Sequence, residues 1–245
     1  MIKGASIVCI PLVPWESEST NTLVQLMKIL SRENKILFID YPFSIKDALL
    51  GWSGKRPVPY QRMLGMGERL RQATREESIY LLTLPPVLPI NWIKWRSLYR
   101  IMLQLNSRLI QNSIQAALIT QEMENPIVIN GNNPFLGLPM AGKLDEVLNI
   151  YFCYNEIKED TFYAFHGPEI EKAYVKRTDG IIVTSDALLE SKCTLHNNCY
   201  LVKSEVEPKL FASITDVDEK ETWSQKAEEL SDAIEALRIK KYILK

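Results

Sequence analysis

Residues 35–42 read Lys-Ile-Leu-Phe-Ile-Asp-Tyr-Pro, an apolar run that ends in a polar turn. A short run of β-branched and aromatic residues bounded in this way predicts a strand. An earlier apolar run covers residues 7–12, and between the two runs apolar residues recur at i, i+3, i+4 and i+7, namely Leu23, Leu26, Met27 and Leu30. This order of strand, helix and strand predicts a βαβ unit.

The same alternation continues along the chain. Five more apolar runs predict strands at residues 79–84, 126–130, 148–154, 180–185 and 200–203. Residues 91–118 predict a long helix with one apolar stripe, formed by Trp92, Trp95, Leu98, Met102, Leu105 and Leu109. Residues 51–75 are rich in glycine, proline and basic residues, which predicts a long excursion or a mobile loop. We therefore expect an α/β fold with a doubly wound, mainly parallel sheet.

A final amphipathic helix is predicted over residues 223–237. Its apolar residues lie at spacings of four, three, four and three, and they are Trp223, Ala227, Leu230, Ile234 and Leu237. An isolated helix of about 15 residues is marginal in water. We therefore expect this C-terminal helix to pack back on the α/β body.

The composition excludes several classes of protein. The 245 residues include 29 Lys and Arg against 30 Asp and Glu, and 46% are hydrophobic. This is ordinary for a folded globular chain, so it excludes disorder and broad coating of nucleic acid. The sequence has no run of about 18 apolar residues and no signal-peptide cleavage pattern, so the expected location is cytoplasmic.

The four cysteines fall in two settings. Cys9 and Cys153 lie inside apolar runs, where a free thiol behaves as a small hydrophobe. Cys193 and Cys199 flank His196, which offers at most three ligands without the paired spacing of zinc sites. We therefore expect these residues to be structural and expect no metal.

Polar residues follow five of the predicted strands, in the segments 15–17, 40–41, 130–134, 154–156 and 184–186. Any one of these segments is also explained by the capping of the next helix. Together they predict a ligand cleft, because parallel α/β sheets bind ligands beyond the carboxyl ends of their strands.

Several catalytic motifs are missing from the sequence. Residues 51–56 contain glycines and a lysine but not the spacing of a phosphate-binding loop, and no dinucleotide fingerprint follows a strand. Neither histidine accompanies a nucleophile elbow, which disfavours hydrolase triads. His166 is predicted either as a general base that reaches the cleft from a loop or as an ordinary surface histidine.

Order and spacing of the segments resemble the N-terminal, acceptor-side half of GT-B-fold, family-4-like bacterial glycosyltransferases of surface polysaccharide and teichuronic acid assembly. The similarity covers about residues 6–211, and the segments that carry it are 13–15, 36–42, 92–96, 132–135, 150–156, 181–185 and 200–203. Two departures are clear. Residues 204–207 read Ser-Glu-Val-Glu where the family carries an Asn-Gly-Val-Asp turn, and the donor-binding half of the family is absent.

The resemblance implies a domain of residues 1–211, Rossmann-like, followed by a bridge and closing helix over residues 212–245. It implies transfer of a sugar to a glycan or lipid-linked acceptor, with Glu156 or His166 as the base. The implied acceptor-binding residues are Trp15, Glu16, Asn132, Asn133, Tyr154, Asn155 and Ser185. No cofactor is expected on this chain, since a nucleotide-sugar would bind only with the missing domain or a partner subunit. The alternatives are a non-catalytic binding module, one subunit of a split transferase, or a flavodoxin-like nucleotide binder.

A basic and aromatic segment suggests one more partner. Trp92, Lys94, Trp95, Arg96 and Arg100 open the predicted long helix, close in sequence to the basic excursion. Such segments favour anionic membrane interfaces. The alternative is that both tryptophans belong to the core and the basic residues form a solvated face.

Overall fold

The computed structural model describes residues 2–12, 15, 22–74, 78–90, 92–156, 161–203 and 216–243, without the side chains of residues 161–165 and 216–221. Glu16 and the turn at residues 204–207 lie outside the described residues. The strands are β1 (Ser6–Pro11), β2 (Lys35–Ile39), β3 (Leu70–Gln72), β4 (Ile79–Leu82), β5 (Ile127–Gly131), β6 (Leu148–Cys153), β7 (Gly180–Val183) and β8 (Cys199–Leu201). The helices are α1 (Thr22–Leu30), α2 (Ile45–Trp52), α3 (Tyr60–Met63), α4 (Arg96–Thr120), α5 (Pro134–Met140), α6 (Thr161–Val175), α7 (Asp186–Lys192) and α8 (Asp216–Ile243).

The described strands form one sheet in the order β3-β4-β2-β1-β5-β6-β7-β8. All neighbouring strands are parallel except β3, which pairs antiparallel with β4 at the edge. The chain builds outward from β1 through β2 to β4 and then returns to place β5 on the other side of β1. The strand order therefore reverses between β1 and β5, and this confirms the predicted doubly wound, mainly parallel sheet.

Helices cover both faces of the sheet. One face packs against α1 and α8, in a core that includes Ile7, Cys9, Phe38 and Phe152. On the other face, one cluster joins α4 and α5 to the sheet and a second joins α6 and α7 to β6 and β7. Alternate residues of each strand contact the two faces of the sheet, so most residues of β1, β2, β4, β5, β6 and β7 are apolar and buried, whereas those of the edge strands β3 and β8 are only partly buried or exposed.

The C-terminal helix packs on the body, as its apolar pattern predicts. Leu230 and Ile234 are fully buried and Leu237 is 1% exposed, all within the core shared with α1. The approach is close: a Cβ added at Gly180 of β7 would lie 2.3 Å from Leu237 Cδ2. Near the end of the helix, Lys241 Nζ lies 2.8 Å from Asp179 Oδ2. The helix begins at Asp216, earlier than the predicted residue 223.

Three sequence predictions need correction. The segment predicted as an irregular excursion, residues 51–75, contains the end of α2, the short helix α3 and the edge strand β3. The long helix begins at Arg96, so the chain from residue 92 to residue 95 precedes it. His166 lies within α6 and not in a loop, and it is buried.

Cys193 and Cys199 form a disulfide, with their Cα atoms 5.4 Å apart. The bond joins the end of α7 to the start of β8. Cys9 and Cys153 are buried free thiols, as their apolar settings predict. None of the described helices is long and apolar enough to cross a membrane.

Candidate functional site

The reversal of strand order places the carboxyl ends of β1 and β5 side by side. Asn133 Nδ2 donates to the carbonyl oxygen of Pro11, 2.8 Å away, and so ties the end of β5 to the end of β1. Gly131 packs closely against α1 here, because an added Cβ would lie 2.3 Å from Leu23 Cδ2 and would force that side chain to move. This edge of the sheet is where α/β proteins bind ligands.

Three asparagines shape the turn after β5. Asn130 brackets Asn133, since its Oδ1 accepts from the Asn133 N–H and its Nδ2 donates to the Asn133 carbonyl, both at 2.9 Å. Asn133 also caps α5. Asn132 adopts a φ of 55°, a left-handed conformation that asparagine tolerates better than most residues.

Asn132 links this turn to the end of β6. Its Nδ2 donates to the carbonyl of Asn155 at 2.7 Å, and its Oδ1 accepts from the Tyr154 N–H at 3.2 Å. The side-chain amides of Asn132 and Asn133 are therefore bonded within the protein, and both residues are buried. Their direct role is to hold the ends of β1, β5 and β6 in register.

A cavity of about 370 Å³ opens beside this turn, between the ends of β6 and β7. Four of the predicted site residues line it, namely Tyr154, Asn155, Glu156 and Ser185, together with Thr184, Ala187 and Leu188. Ser185 caps α7, its Oγ accepting from the Leu188 N–H at 3.3 Å. The structure thus brings together the predicted residues that follow β6 and β7.

Glu156 is the acidic residue in the cavity wall. Its Oε1 accepts from Ser191 Oγ and its Oε2 contacts Lys192 Nζ, both at 2.7 Å. Partial burial alone would raise the pKa of Glu156, but the hydrogen bonds from Lys192 and Ser191 outweigh burial and lower it. Glu156 is therefore a carboxylate at neutral pH, and this can accept a hydrogen bond from a ligand hydroxyl.

Lys192 also forms an ion pair with a second carboxylate, that of Glu171. Its Nζ lies 2.9 Å from Glu171 Oε2, and both side chains are nearly buried, at 8% and 9% exposed. Tyr151 donates its hydroxyl to Glu171 Oε1 at 2.7 Å. Burial opposes the charge on Lys192, but hydrogen bonds to Glu156 and Glu171 raise its pKa. The Lys192 cation is thus held between the two carboxylates and fixes the position of Glu156.

These supporting residues have no signal in the sequence. Glu171 lies on α6, Lys192 ends α7 and Tyr151 lies in β6. They are separated by about 20 residues each, and each is of a residue type that is common on surfaces or in strands. Only the packing of α6 and α7 on β6 brings them into contact.

Tyr154 lines the cavity but is partly buried, and its ring packs against the core of the sheet. Its ring lies 6.0 Å from the Phe152 ring, and its hydroxyl is buried without a hydrogen-bond partner among the described residues. Burial is the largest cause that raises the pKa of this hydroxyl, followed by the charges that the nearby Cys9 and Cys153 thiols would carry. Tyr154 therefore remains a neutral phenol.

His166 lies in a different environment from Glu156. Its ring stacks on Tyr99 of α4 with centroids 4.1 Å apart, and its Nε2 donates to the carbonyl of Ile93 at 3.1 Å. It does not line the cavity. The two base candidates are thus not brought together by any contact that the structure describes, and a packing role between α4 and α6 accounts for the position of His166.

Trp15 follows β1 and is half-buried. Its ring meets Phe38 edge to face, with centroids 5.0 Å apart, and Lys28 Nζ lies 5.6 Å from the ring centroid. It is therefore anchored against α1 and β2 at the same edge of the sheet. Glu16, the next predicted residue, lies outside the described residues.

A larger cavity of about 680 Å³ lies at the other edge of the sheet, where α4 ends and β5 begins. It is lined by residues such as Leu118, Met123 and Pro126. We favour the smaller cavity as the functional site, because it lies at the carboxyl ends of the strands. Within the described part of the chain, no three His, Cys, Asp or Glu side chains cluster closely enough to hold a metal ion.

Comparison with known proteins supports this fold. No family model matches the chain, and no curated protein matches it. Among solved structures, it is similar to a sucrose-phosphate synthase from Thermosynechococcus elongatus, with a TM-score of 0.51 and 10% identity, over 95% of this chain and 98% of that chain. The chain has a glycosyltransferase-like fold. At this identity the similarity concerns the fold, a Rossmann-like α/β sheet with a C-terminal helix, as in GT-B glycosyltransferases.

Proposed function

We propose that this chain is the acceptor-binding half of a glycosyltransferase that transfers a sugar from a nucleotide-sugar to a lipid-linked or polysaccharide acceptor. The observation that carries the proposal is the helix α8, which returns to the sheet face that α1 covers. In the resemblance described above, a closing helix packs in this way on the N-terminal half. Bacterial surface polysaccharide is the acceptor class that the resemblance favours.

The solved relative supports the same organisation. The similarity to the sucrose-phosphate synthase chain extends over 95% of this chain and 98% of that chain, so it includes the sheet and reaches into α8. We propose residues 1–211 as the domain and residues 212–245 as the bridge and closing helix.

The chemistry proposed for the cavity is recognition of an acceptor sugar. Glu156 offers a fixed carboxylate, and Asn155 and Ser185 line the same cavity. Carboxylate and amide groups are suited to the hydroxyls of a sugar ring, since they accept and donate hydrogen bonds at fixed angles. Trp15, at the same edge, offers an aromatic surface for a sugar face.

In the transfer reaction the acceptor oxygen forms a bond to the anomeric carbon of the donor sugar. The bond from that carbon to the diphosphate breaks, the nucleoside diphosphate leaves, and the acceptor hydroxyl loses its proton to a base. Glu156 is the base candidate that lines the cavity, and its lowered pKa makes it a weak base that best serves by orienting the hydroxyl. Donor binding is proposed to require a further domain or a partner subunit.

A second function is a binding module, either non-catalytic or one subunit of a split transferase. The observation that favours it is that the sequence contains no phosphate-binding loop of the P-loop type and no dinucleotide fingerprint. In that case the cavity binds a glycan and a partner supplies the chemistry.

The test combines ligand titration with a blocked cavity. We expect calorimetry to show no millimolar or tighter binding of UDP-glucose or GDP-mannose to this chain, and a glycan array to show binding of polysaccharide fragments. Ala187→Trp fills the cavity from an exposed position and should abolish glycan binding, whereas Ala173→Trp, exposed on α6 outside the cavity, should not. Tight nucleotide-sugar binding by this chain, or glycan binding that Ala187→Trp leaves intact, would overturn the proposal.

Sugar transfer separates the two functions. A candidate donor-binding subunit is added, and transfer of radiolabelled sugar to the bound glycan is measured with the wild-type chain and with Glu156→Gln. Transfer that falls at least tenfold in Glu156→Gln while glycan affinity changes less supports the enzyme half. Glycan binding without transfer with any donor-binding subunit supports the binding module.

A further inference from the structure

Exposed apolar side chains are concentrated in one part of the chain. Of the fifteen large hydrophobic residues that are exposed in the described structure, eleven lie between residues 45 and 109. Trp52, Trp92 and Trp95 are the most exposed of these, at 72%, 73% and 78%. The other eight are Ile45, Leu49, Leu64, Met66, Leu88, Ile101, Leu105 and Leu109. The tryptophans of the predicted long-helix stripe are therefore not core residues.

The segments that carry these side chains are neighbours in space. The Ile45 N–H at the start of α2 donates to the Val87 carbonyl at 2.8 Å. The next residue, Leu88, is bracketed by Asn106 of α4, with both hydrogen bonds at 2.9 Å. Trp92 Nε1 donates to the Pro89 carbonyl at 3.0 Å, which fixes the indole beside this segment. The start of α2, the segment of residues 87–90 with Trp92, and the middle of α4 thus adjoin one another.

Helix α4 has two apolar faces. The buried face carries Tyr99, Ile110, Ile114 and Ala117. The second face carries Ile101, Leu105 and Leu109, which are 55%, 46% and 41% exposed. Leu98 and Met102 lie on the same face but are partly buried, because they pack against the cluster around Ile93 and Tyr99. At 100° per residue the two faces are centred about 125° apart around the helix. The second face is therefore not explained by packing on the sheet.

The charge of the same region is strongly positive. Residues 45–109 contain eleven Lys and Arg against four Asp and Glu, a net charge of +7, while the whole chain carries −1. Lys94 and Arg100 are exposed beside the tryptophans, and Arg108 is exposed beside the second face of α4. An exposed surface that is apolar, aromatic and basic at once fits an interface with an anionic bilayer.

We propose that this basic-aromatic surface, formed by residues 45–66, 88–90 and 92–109, binds the surface of an anionic lipid bilayer without crossing it. Tryptophan is suited to the headgroup level, because its ring is apolar and its N–H is polar. The charge argues against a dimer in which this surface binds the same surface of a second copy of the chain. Two surfaces that each carry a net charge of +7 would repel each other. This inference stands independently of the proposed function, because it does not involve the cavity.

The first test is co-sedimentation of the protein with vesicles. Binding to vesicles with 30% phosphatidylglycerol in phosphatidylcholine is expected to exceed binding to pure phosphatidylcholine at least tenfold and to fall at least fivefold between 0.1 and 0.5 M NaCl. Equal binding to both kinds of vesicle, or no binding to either, overturns the proposal. Sedimentation velocity on the free protein tests the competing occupant, and a dimer that Trp92→Ser/Trp95→Ser disrupts would also overturn it.

Variants place the contact on the molecule. Trp92→Ser/Trp95→Ser and Ile101→Ser/Leu105→Ser should each lower the partition coefficient at least tenfold. Ile119→Ser is the matched control, because Ile119 is 79% exposed on the same helix but outside the surface, and it should change binding less than twofold. Circular dichroism spectra that match the wild type confirm folding of each variant. An effect of Ile119→Ser as large as that of Ile101→Ser/Leu105→Ser contradicts the proposed surface.

Tryptophan fluorescence gives an independent readout. Brominated lipids should quench the emission of Trp52, Trp92 and Trp95, while half-buried Trp15 and Trp223 in the core shared by α1 and α8 should be spared. Quenching should therefore be lost in the triple variant Trp52→Phe/Trp92→Phe/Trp95→Phe. Quenching that persists in this variant would show that a different face meets the lipid.

Discussion

The docking of α8 can be tested by removing a single side chain. Leu230 is fully buried between α8 and the sheet core. Leu230→Ala removes three carbon atoms, worth about 2.4 kcal/mol of transfer free energy at about 0.8 kcal/mol per methylene. A residual cavity adds to this, so the expected loss in the free energy of unfolding is about 3 kcal/mol. Trp223 is only half-buried, so Trp223→Ala should cost less, about 2 kcal/mol.

Urea denaturation measures these losses. With a slope of roughly 3 kcal/mol/M for a chain of this size, Leu230→Ala should lower the midpoint by about 1 M. Ile239→Ala is the control, since Ile239 lies on the same helix and is 54% exposed, and it should change stability by less than about 0.5 kcal/mol. A Leu230→Ala midpoint equal to that of Ile239→Ala, together with rapid amide exchange throughout α8, would refute the docking of this helix.

Further outcomes are expected for variants at Gly131, Lys192 and Glu156. Gly131→Ala should lower the free energy of unfolding by about 1–3 kcal/mol, because its Cβ would lie 2.3 Å from a side-chain carbon of the fully buried Leu23. In urea titrations, the Gly131→Ala/Leu23→Ala double variant should lose less free energy of unfolding than the sum of the two single losses. Lys192→Met should cost about 3–5 kcal/mol by leaving the carboxylate of Glu171 buried without its cation, and a Lys192→Met chain as stable as the wild type would contradict the ion pair. The same substitution should raise the pKa of Glu156 in a carbon-detected NMR titration. The folded protein lowers the pKa of Glu156 from its ordinary value of 4.5, so ionised Glu156 stabilises the fold above about pH 4.5. This stabilisation should be lost as the pH falls through the lowered pKa. Glu156→Gln should remove this part of the pH dependence of stability.

Apolar periodicity located most of the sheet, because a strand buried on both faces is a continuous apolar run. The run at residues 35–40 corresponds to β2, and that at 148–154 corresponds to β6, each within one residue at either end. The edge strand β3 was missed, since Leu70, Arg71 and Gln72 are partly exposed and carry no apolar run. It forms only because β4 offers a free edge with which to pair.

The stripe on α4 shows the limit of the same method. The sequence established that Leu98, Met102, Leu105 and Leu109 share one face of a helix, since this depends only on 3.6 residues per turn. It did not establish whether that face meets the sheet or the solvent. A second face, which carries Tyr99 and Ile110, is also apolar, and only the tertiary structure shows that this second face is the buried one.

The candidate site divides in the same way. Sequence placed Tyr154, Asn155, Glu156 and Ser185 at the ends of strands, and the parallel topology brought them to one cavity because parallel strands end at the same edge. It could not assign what each side chain bonds, since those partners are distant in the chain. Asn132 and Asn133 join neighbouring strand ends, His166 stacks within the interface of α4 and α6, and Lys192 fixes Glu156 from a helix about 36 residues further along the chain. Periodicity is a local property that the sequence carries by itself, whereas hydrogen bonds and ion pairs between distant segments exist only once packing has placed their atoms within about 3 Å.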